Sequence, residues 1–365
     1  MAVLNAILGG RKRGQTNVRS VPSGIHTATA GEAFRQPFRA AAKLIDVELR
    51  RRSQIAMASI ADIMTLDHVH VVDIGAADGI HERWQLLGER LLIDLFEPEH
   101  DAFVEMTRMY AGQRTVRCFE TALSENGGEI ELTVTRWPRA ATCLTLDSAF
   151  LSEIFLRDHF EVTDTIRMPS RRLDDVLAGE DIDFIKADVE GMELPILRGA
   201  GALMDTCIGV EAEVIYGKSA PKDPLLFSDM DAYCRSHGLT LTSIGQPGYW
   251  HFALPSEAYE SKGFIVNGDA LFLCMPALVV DRVNSGAWPA RKVAAAAALY
   301  LTYGNFELVY VLAQKAHAGG ILTKQQCTGI ERTISRLAGA GRRITYGGLH
   351  RLAAALYDYD SRIDF

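Results

Sequence analysis

One segment constrains the fold more than any other. Asp181 to Ala200 reads D-I-D-F-I-K-A-D-V-E-G-M-E-L-P-I-L-R-G-A. Its first half is a short apolar run carrying Lys186, Asp188 and Glu190 at a spacing of two, so strand alternation predicts all three on one face, with Ile185, Ala187 and Val189 on the other. Gly191 then breaks the strand. Glu193 and Pro195 suit the first turn of a helix that runs on through Leu197. A strand that opens into a helix is the unit of a parallel sheet, and ligands sit at the carboxyl ends of such strands. The segment therefore predicts carboxylates at the mouth of a ligand crevice, the alternative being a solvated loop edge.

The rest of the chain repeats this alternation. Short apolar runs at His70 to Ile74, Leu91 to Phe96, Thr115 to Phe119, Asp183 to Asp188, Ile208 to Glu213, Leu239 to Ile244 and Ala270 to Cys274 are separated by helical patterns. They predict a Rossmann-like α/β fold, a seven-stranded, mostly parallel sheet with helices on both faces. Glu129 to Thr135, after Asn126-Gly127-Gly128, reads as an added hairpin strand. Apolar residues at helical spacing from Phe34 to Met64 predict one or two N-terminal helices. After Val280, segments Pro289 to Leu301, Phe306 to Ala318, Lys324 to Leu337 and Tyr346 to Tyr357 predict a helical extension. The expected division is residues 1–66 as a basic tail with helices, 67–280 as the α/β domain and 281–365 as the extension.

Charge narrows the partners. The net charge is −8 although Arg11, Lys12, Arg13, Arg19, Arg35, Arg39, Lys43, Arg50, Arg51 and Arg52 all precede the first strand. What remains is acidic, which argues against nucleic acid, and no D/N-P-P-Y motif for a flipped base occurs. No apolar run is long enough to span a membrane, although Ala2 to Leu8 with Arg11 to Arg13 could make weak peripheral contact with an anionic surface. Cys118, Cys143, Cys207, Cys234, Cys274 and Cys327 form no C-x-x-C pair, so a reduced, cytoplasmic setting is expected. The C-terminal helices could pair between copies as a homo-oligomer, or simply pack on the sheet.

Val71-Val72-Asp73-Ile74-Gly75-Ala76-Ala77-Asp78-Gly79 is an apolar strand ending in an acid and a glycine-bounded turn. It departs from G-x-G-x-x-G at Ala77, so it lacks the pyrophosphate cradle of a nicotinamide enzyme. Asp94-Leu95-Phe96-Glu97-Pro98 ends the next strand in a carboxylate where ribose hydroxyls are received. A nucleoside-shaped ligand without phosphates satisfies both features.

Val72 to Gly79 and Glu97 resemble the class I S-adenosylmethionine-dependent methyltransferases. Arg172 to Leu177, Asp183 to Leu194 and Leu197 to Ala200 are more specific: with Ala122-Leu123-Ser124 and Asp269 to Phe272 they resemble the FkbM methyltransferase family from about Val71 to Leu273. Ala140-Ala141-Thr142-Cys143-Leu144 departs from the serine-rich segment expected there. The resemblance implies S-adenosylmethionine as cofactor. It would lie against Asp73, Gly75, Ala76, Ala77, Asp78 and Gly79 at its amino-acid end, Glu97 and Pro98 at its ribose, and Ala122 near its adenine. It also implies O-methylation of a hydroxyl on a sugar, glycan or related small natural product.

An alcohol holds its proton tightly, so a carboxylate base or a divalent cation should assist the transfer. Asp188 is the first choice, with Glu190 and Lys186 beside it. Glu211 and Glu213 end the next strand, and with Asp188 they form the metal-ligand set if a magnesium or calcium ion takes part. The competing reading is a catalytically inactive binding module that keeps the fold and acts through its helical extension. Intact Asp73, Glu97, Asp188 and Glu190 weigh against it.

Overall fold

A computed structural model describes residues 51–137, 140–253 and 262–341. The basic cluster before residue 51 and the helix expected over Tyr346 to Tyr357 lie outside the described residues. The seven-stranded sheet has the order β3-β2-β1-β7-β8-β10-β9. Its strands are β1 (Val69–Ile74), β2 (Leu91–Phe96), β3 (Val116–Phe119), β7 (Phe184–Ala187), β8 (Gly209–Ile215), β9 (Leu239–Trp250) and β10 (Phe264–Cys274). All pair in parallel except β10, which runs antiparallel between β8 and β9. The chain builds outward from β1 to β3, then returns to place β7 on the other side of β1. The strand order reverses there, which opens a crevice above the β1–β7 pair.

The central strands are buried on both faces, as apolar runs without alternation require: every residue of β1 is buried, and β7 exposes only Lys186 in part. Covering helices include α1 (51–64), α2 (His100–Met109), α3 (Glu193–Gly199) and α4 (Phe227–Ser236). A smaller sheet of order β4-β6-β5 sits apart from the main one. It consists of β4 (Ala122–Leu123), β5 (Gly128–Thr135) and β6 (Val162–Arg171). The strand expected at Glu129 to Thr135 is β5. Its antiparallel partner β6 carries mostly exposed polar residues and so left no apolar signal in the sequence.

The C-terminal helices are α5 (Pro276–Asn284), α6 (Arg291–Thr302), α7 (Phe306–Ala318) and α8 (Lys324–Gly341). The expected boundary at 280 falls inside α5, because Pro276 starts a helix directly after β10. Helix α6 is buried from Lys292 to Leu301. A run of alanines, Ala294 to Ala298, keeps it thin enough to lie close to the sheet. A helix apolar on all sides must be a core helix, and one buried cluster indeed runs from Ala56 through the strands to Leu337. Lys292 is the exception in α6: fully buried, it donates to the Ile182 carbonyl at 2.7 Å, Asp183 Oδ1 at 2.7 Å and the Thr206 carbonyl at 2.8 Å. Among the described residues no helix is long and apolar enough to cross a membrane.

Candidate active site

The crest of the sheet is assembled at the strand ends around β1 and β7. Asp73 faces Lys186 across the β1–β7 ladder, and the Asp188 amide donates to the Ile74 carbonyl at 3.1 Å. Gly75 has φ +83, and a Cβ there would stand 2.1 Å from the Asp188 carbonyl oxygen. Only glycine lets the two strand ends close on each other. Gly79, at φ +77, is needed for Tyr110, whose hydroxyl would lie 2.5 Å from an added Cβ and accepts from the Ile80 amide at 2.7 Å. Both glycines thus also serve close contacts within the protein. The turn between them buries Ala76, leaves Ala77 and Asp78 exposed, and leads into a 3-10 helix, Glu82–Leu86, in place of the α-helix expected.

Asp73 is 2% exposed and accepts from the Lys186 ammonium at 3.3 Å, and Lys186 also reaches Asp188 at 3.5 Å. Burial raises the Asp73 pKa to about 6 against the opposing pull of Lys186. The Lys186 ammonium is buried too, yet Asp73 and Asp188 more than offset that cost and raise its pKa. Asp73 is thus tied to the crevice wall through Lys186.

The strand ends at Ala187, so Glu190 does not continue the alternation predicted for it. It adopts φ +54, in the left-handed region. Three contacts hold it there. Thr142 Oγ1 donates to the Glu190 carbonyl at 2.7 Å, while the Glu193 carboxylate accepts from the Val189 amide at 2.9 Å and the Gly191 amide at 3.0 Å. Glu193 is the acid that the sequence placed in the first helical turn, and here it caps the backbone amides of the loop before it. The departing segment around Thr142 is what clamps this loop.

Beyond Asp188 lies a cavity of about 340 Å³, lined by Lys186, Asp188, Glu211, Glu213, Asn267 and Asp269 among others. Glu211 and Glu213 lie on β8, between β7 and β10: the register sets Lys186 beside Glu211 and Asp269 beside Glu213. Asp188 is the most open of these acids, with 54% of its side chain exposed. Burial first, and the neighbouring acids second, push Glu190 up to about 9, Glu213 to about 8 and Asp269 to about 6. Of the residues named as ligands should a cation take part, Glu211 is ion-paired to Arg83, Glu213 accepts from Asn267, and Asp188 leans toward Lys186. Among the described residues no group of three or more His, Cys, Asp or Glu side chains converges as a metal site. Arg83 and Asn267 were missed because their turn and strand show nothing unusual locally, while Glu193 and Asp269, though named in the sequence, were given no role in the site.

These acids give the fold a definite pH response. Their folded pKa values exceed the carboxylate value near 4.3 of an unfolded chain, so the folded state keeps protons that the unfolded state releases. Stability from them is fully present below the unfolded pKa and is lost as pH rises toward 8–9. The thermal midpoint is expected to fall between pH 6 and pH 9. Glu213→Gln should raise it at pH 9 and flatten the slope; a steeper slope in the variant would refute this account.

Glu97 directly follows β2 and is only 6% exposed, with burial raising its pKa. Its carboxylate accepts from the Glu99 amide at 2.8 Å. A buried carboxylate with acceptor capacity left fits a pair of ribose hydroxyls. Pro98 beside it is exposed, and Ala122 is buried in β4, next to Ser170 of β6.

Residues 73–239 match the family model described as Methyltransferase FkbM domain. Solved structures that the chain is similar to include magnesium protoporphyrin IX methyltransferase from Synechocystis PCC 6803 with bound SAM. It is 12% identical with a TM-score of 0.29, and the match covers 63% of this chain and 81% of that one. Another is 1,6-didemethyltoxoflavin-N1-methyltransferase from Burkholderia thailandensis, with S-adenosylhomocysteine bound. It is 9% identical with a TM-score of 0.27, covering 70% of this chain and 93% of that one. No curated protein matches the chain.

Proposed function

Because residues 73–239 form a methyltransferase FkbM domain, we propose that this protein transfers a methyl group from S-adenosylmethionine to a hydroxyl of a sugar, glycan or related natural product. The observation that carries this reading is the cavity next to the β1–β7 crevice, walled by acids and the Asn267 amide. Such a wall offers hydrogen-bond acceptors and donors to a polyhydroxylated molecule. S-adenosylmethionine, held at Glu97 and the Gly75–Gly79 turn, would supply an electrophilic methyl on its sulfonium. The protein's task is then to orient one hydroxyl oxygen and take up its proton.

Asp188 is the residue suited to that proton. It is the exposed carboxylate at the junction of crevice and cavity, steadied by Lys186. Glu190 and Glu213 hold their own protons at neutral pH and so donate to acceptor oxygens in place of accepting from them. Asp73 positions Lys186 from below.

The first test is calorimetric. Wild-type protein is expected to bind S-adenosylhomocysteine, and Glu97→Ala to weaken binding by roughly 10- to 100-fold through loss of charged hydrogen bonds. Labelled methyl transfer to a panel of hydroxylated acceptors then tests the reaction. A wild-type titration without heat and without labelled product would leave the inactive binding module standing.

A further inference from the structure

Arg83 is held from three sides at the edge of the cavity. Its Nε donates to His81 Nδ1 at 3.0 Å, and its backbone amide donates to the same nitrogen at 3.2 Å. Its Nη1 donates to Glu211, and its guanidinium carbon lies 5.1 Å from the centre of the Tyr303 ring. His81 can accept twice only as a neutral imidazole protonated at Nε2. Burial and the Arg83 charge, which both lower its pKa, favour that form. Tyr303 is itself wedged against Trp84 at 6.0 Å and Phe184 at 5.3 Å between ring centres. These contacts leave the guanidinium one orientation. Arg83 and Lys186 are the basic side chains in a wall otherwise dominated by carboxylates.

We propose that Arg83 determines acceptor specificity, and that Tyr303, from outside the matched domain, is the positioning residue that holds it. The inference rests on the cavity being the acceptor site. The electrostatics give the reason. Glu211 lies between β7 and β10, close to Asp73, Asp188 and Asp269. Unpaired there, its carboxylate would be repelled by its neighbours and would turn toward solvent. Paired with a fixed guanidinium, it stays in the wall, and the guanidinium edge presents donors to acceptor oxygens. A planar fork that is stacked and bonded loses little freedom when an acceptor arrives. The segment following β10 therefore completes the site instead of serving only as core.

Two readouts test this, one without any acceptor. In a nitrogen–proton spectrum, the Arg83 Nε–H resonance, assigned by its disappearance in Arg83→Lys, is expected to be sharp and dispersed in the wild type. In Tyr303→Leu it should broaden or move to the exchange-averaged position. Tyr303→Phe, which keeps the ring and removes only the hydroxyl near Arg83 and Glu211, should restore most of it. With an acceptor that the wild type methylates, Tyr303→Leu should raise the acceptor KM about tenfold, as expected for one lost charged hydrogen bond, with S-adenosylhomocysteine affinity unchanged and the Phe variant rescuing. If Tyr303→Leu does not fold, His81→Ala, at an exposed position, removes the Nε partner and should give the same two changes. A folded Tyr303→Leu or His81→Ala protein with an unmoved resonance and an unmoved KM overturns the proposal. A wild type that methylates no acceptor would overturn the functional reading instead, while the resonance still decides whether Tyr303 holds Arg83.

Discussion

Asp188→Asn is expected to lower kcat for methyl transfer by about 10²- to 10⁴-fold, the usual contribution of a positioned general base. The affinity for S-adenosylhomocysteine should stay within about twofold of wild type, since the lost interaction belongs to the transition state. The amide keeps the size of the carboxylate and can still accept from Lys186, so the substitution removes proton uptake together with one charge beside Lys186, which keeps Asp73 as its partner. Glu190→Gln and Glu213→Gln should be far milder, because burial keeps both carboxyls protonated at neutral pH. An uncharged amide is close to what they already are. Single-turnover kinetics at pH 7.5 would distinguish these outcomes. Full activity in Asp188→Asn, with a large loss in Glu190→Gln, would move the base to the left-handed residue.

Lys292→Met should cost about 3–5 kcal/mol, the penalty for removing one partner of a buried charge pair, and lower the thermal midpoint by roughly 6–20 °C at about 2–4 °C per kcal/mol. Asp183 is fully buried at the entry to β7 and depends on three donors. The His70 amide reaches it at 2.9 Å, Arg291 at 2.9 Å and Lys292 at 2.7 Å. Without the ammonium, the carboxylate keeps its desolvation cost and loses its nearest cation, and the Ile182 and Thr206 carbonyls lose a donor. Methionine fills the space, so the loss reports charge and not a cavity. Asp183→Asn combined with Lys292→Met should be less damaging than the sum of the two, because the second change removes a group the first has already stranded. A midpoint within about 2 °C of wild type for Lys292→Met would mean the network is not the staple argued for it.

Much of the scaffold could be read from local pattern. The strands at His70 to Ile74, Leu91 to Phe96 and Asp183 to Asp188 announce themselves because burial on both faces demands uninterrupted apolar runs. A turn residue at the end of each run marks where a ligand crevice would open. The match over residues 73–239 fits that reading. Strand β6 escaped because it is mostly solvent-facing, and α5 escaped because it follows β10 with no linker.

What the sequence by itself determined was which residues could form the sheet and which ends would carry Asp73, Glu97, Asp188 and Glu190, since periodicity and turn chemistry act over a few residues. The tertiary structure decided which charge meets which. Arg83 finds Glu211 at a separation of 128 residues, and Lys292 finds Asp183 at 109. Both pairings follow from the crossover that sets β7 beside β1 and from the depth at which α6 packs. Coulomb energies and desolvation depend on distance through space, and no local pattern along the chain encodes that distance.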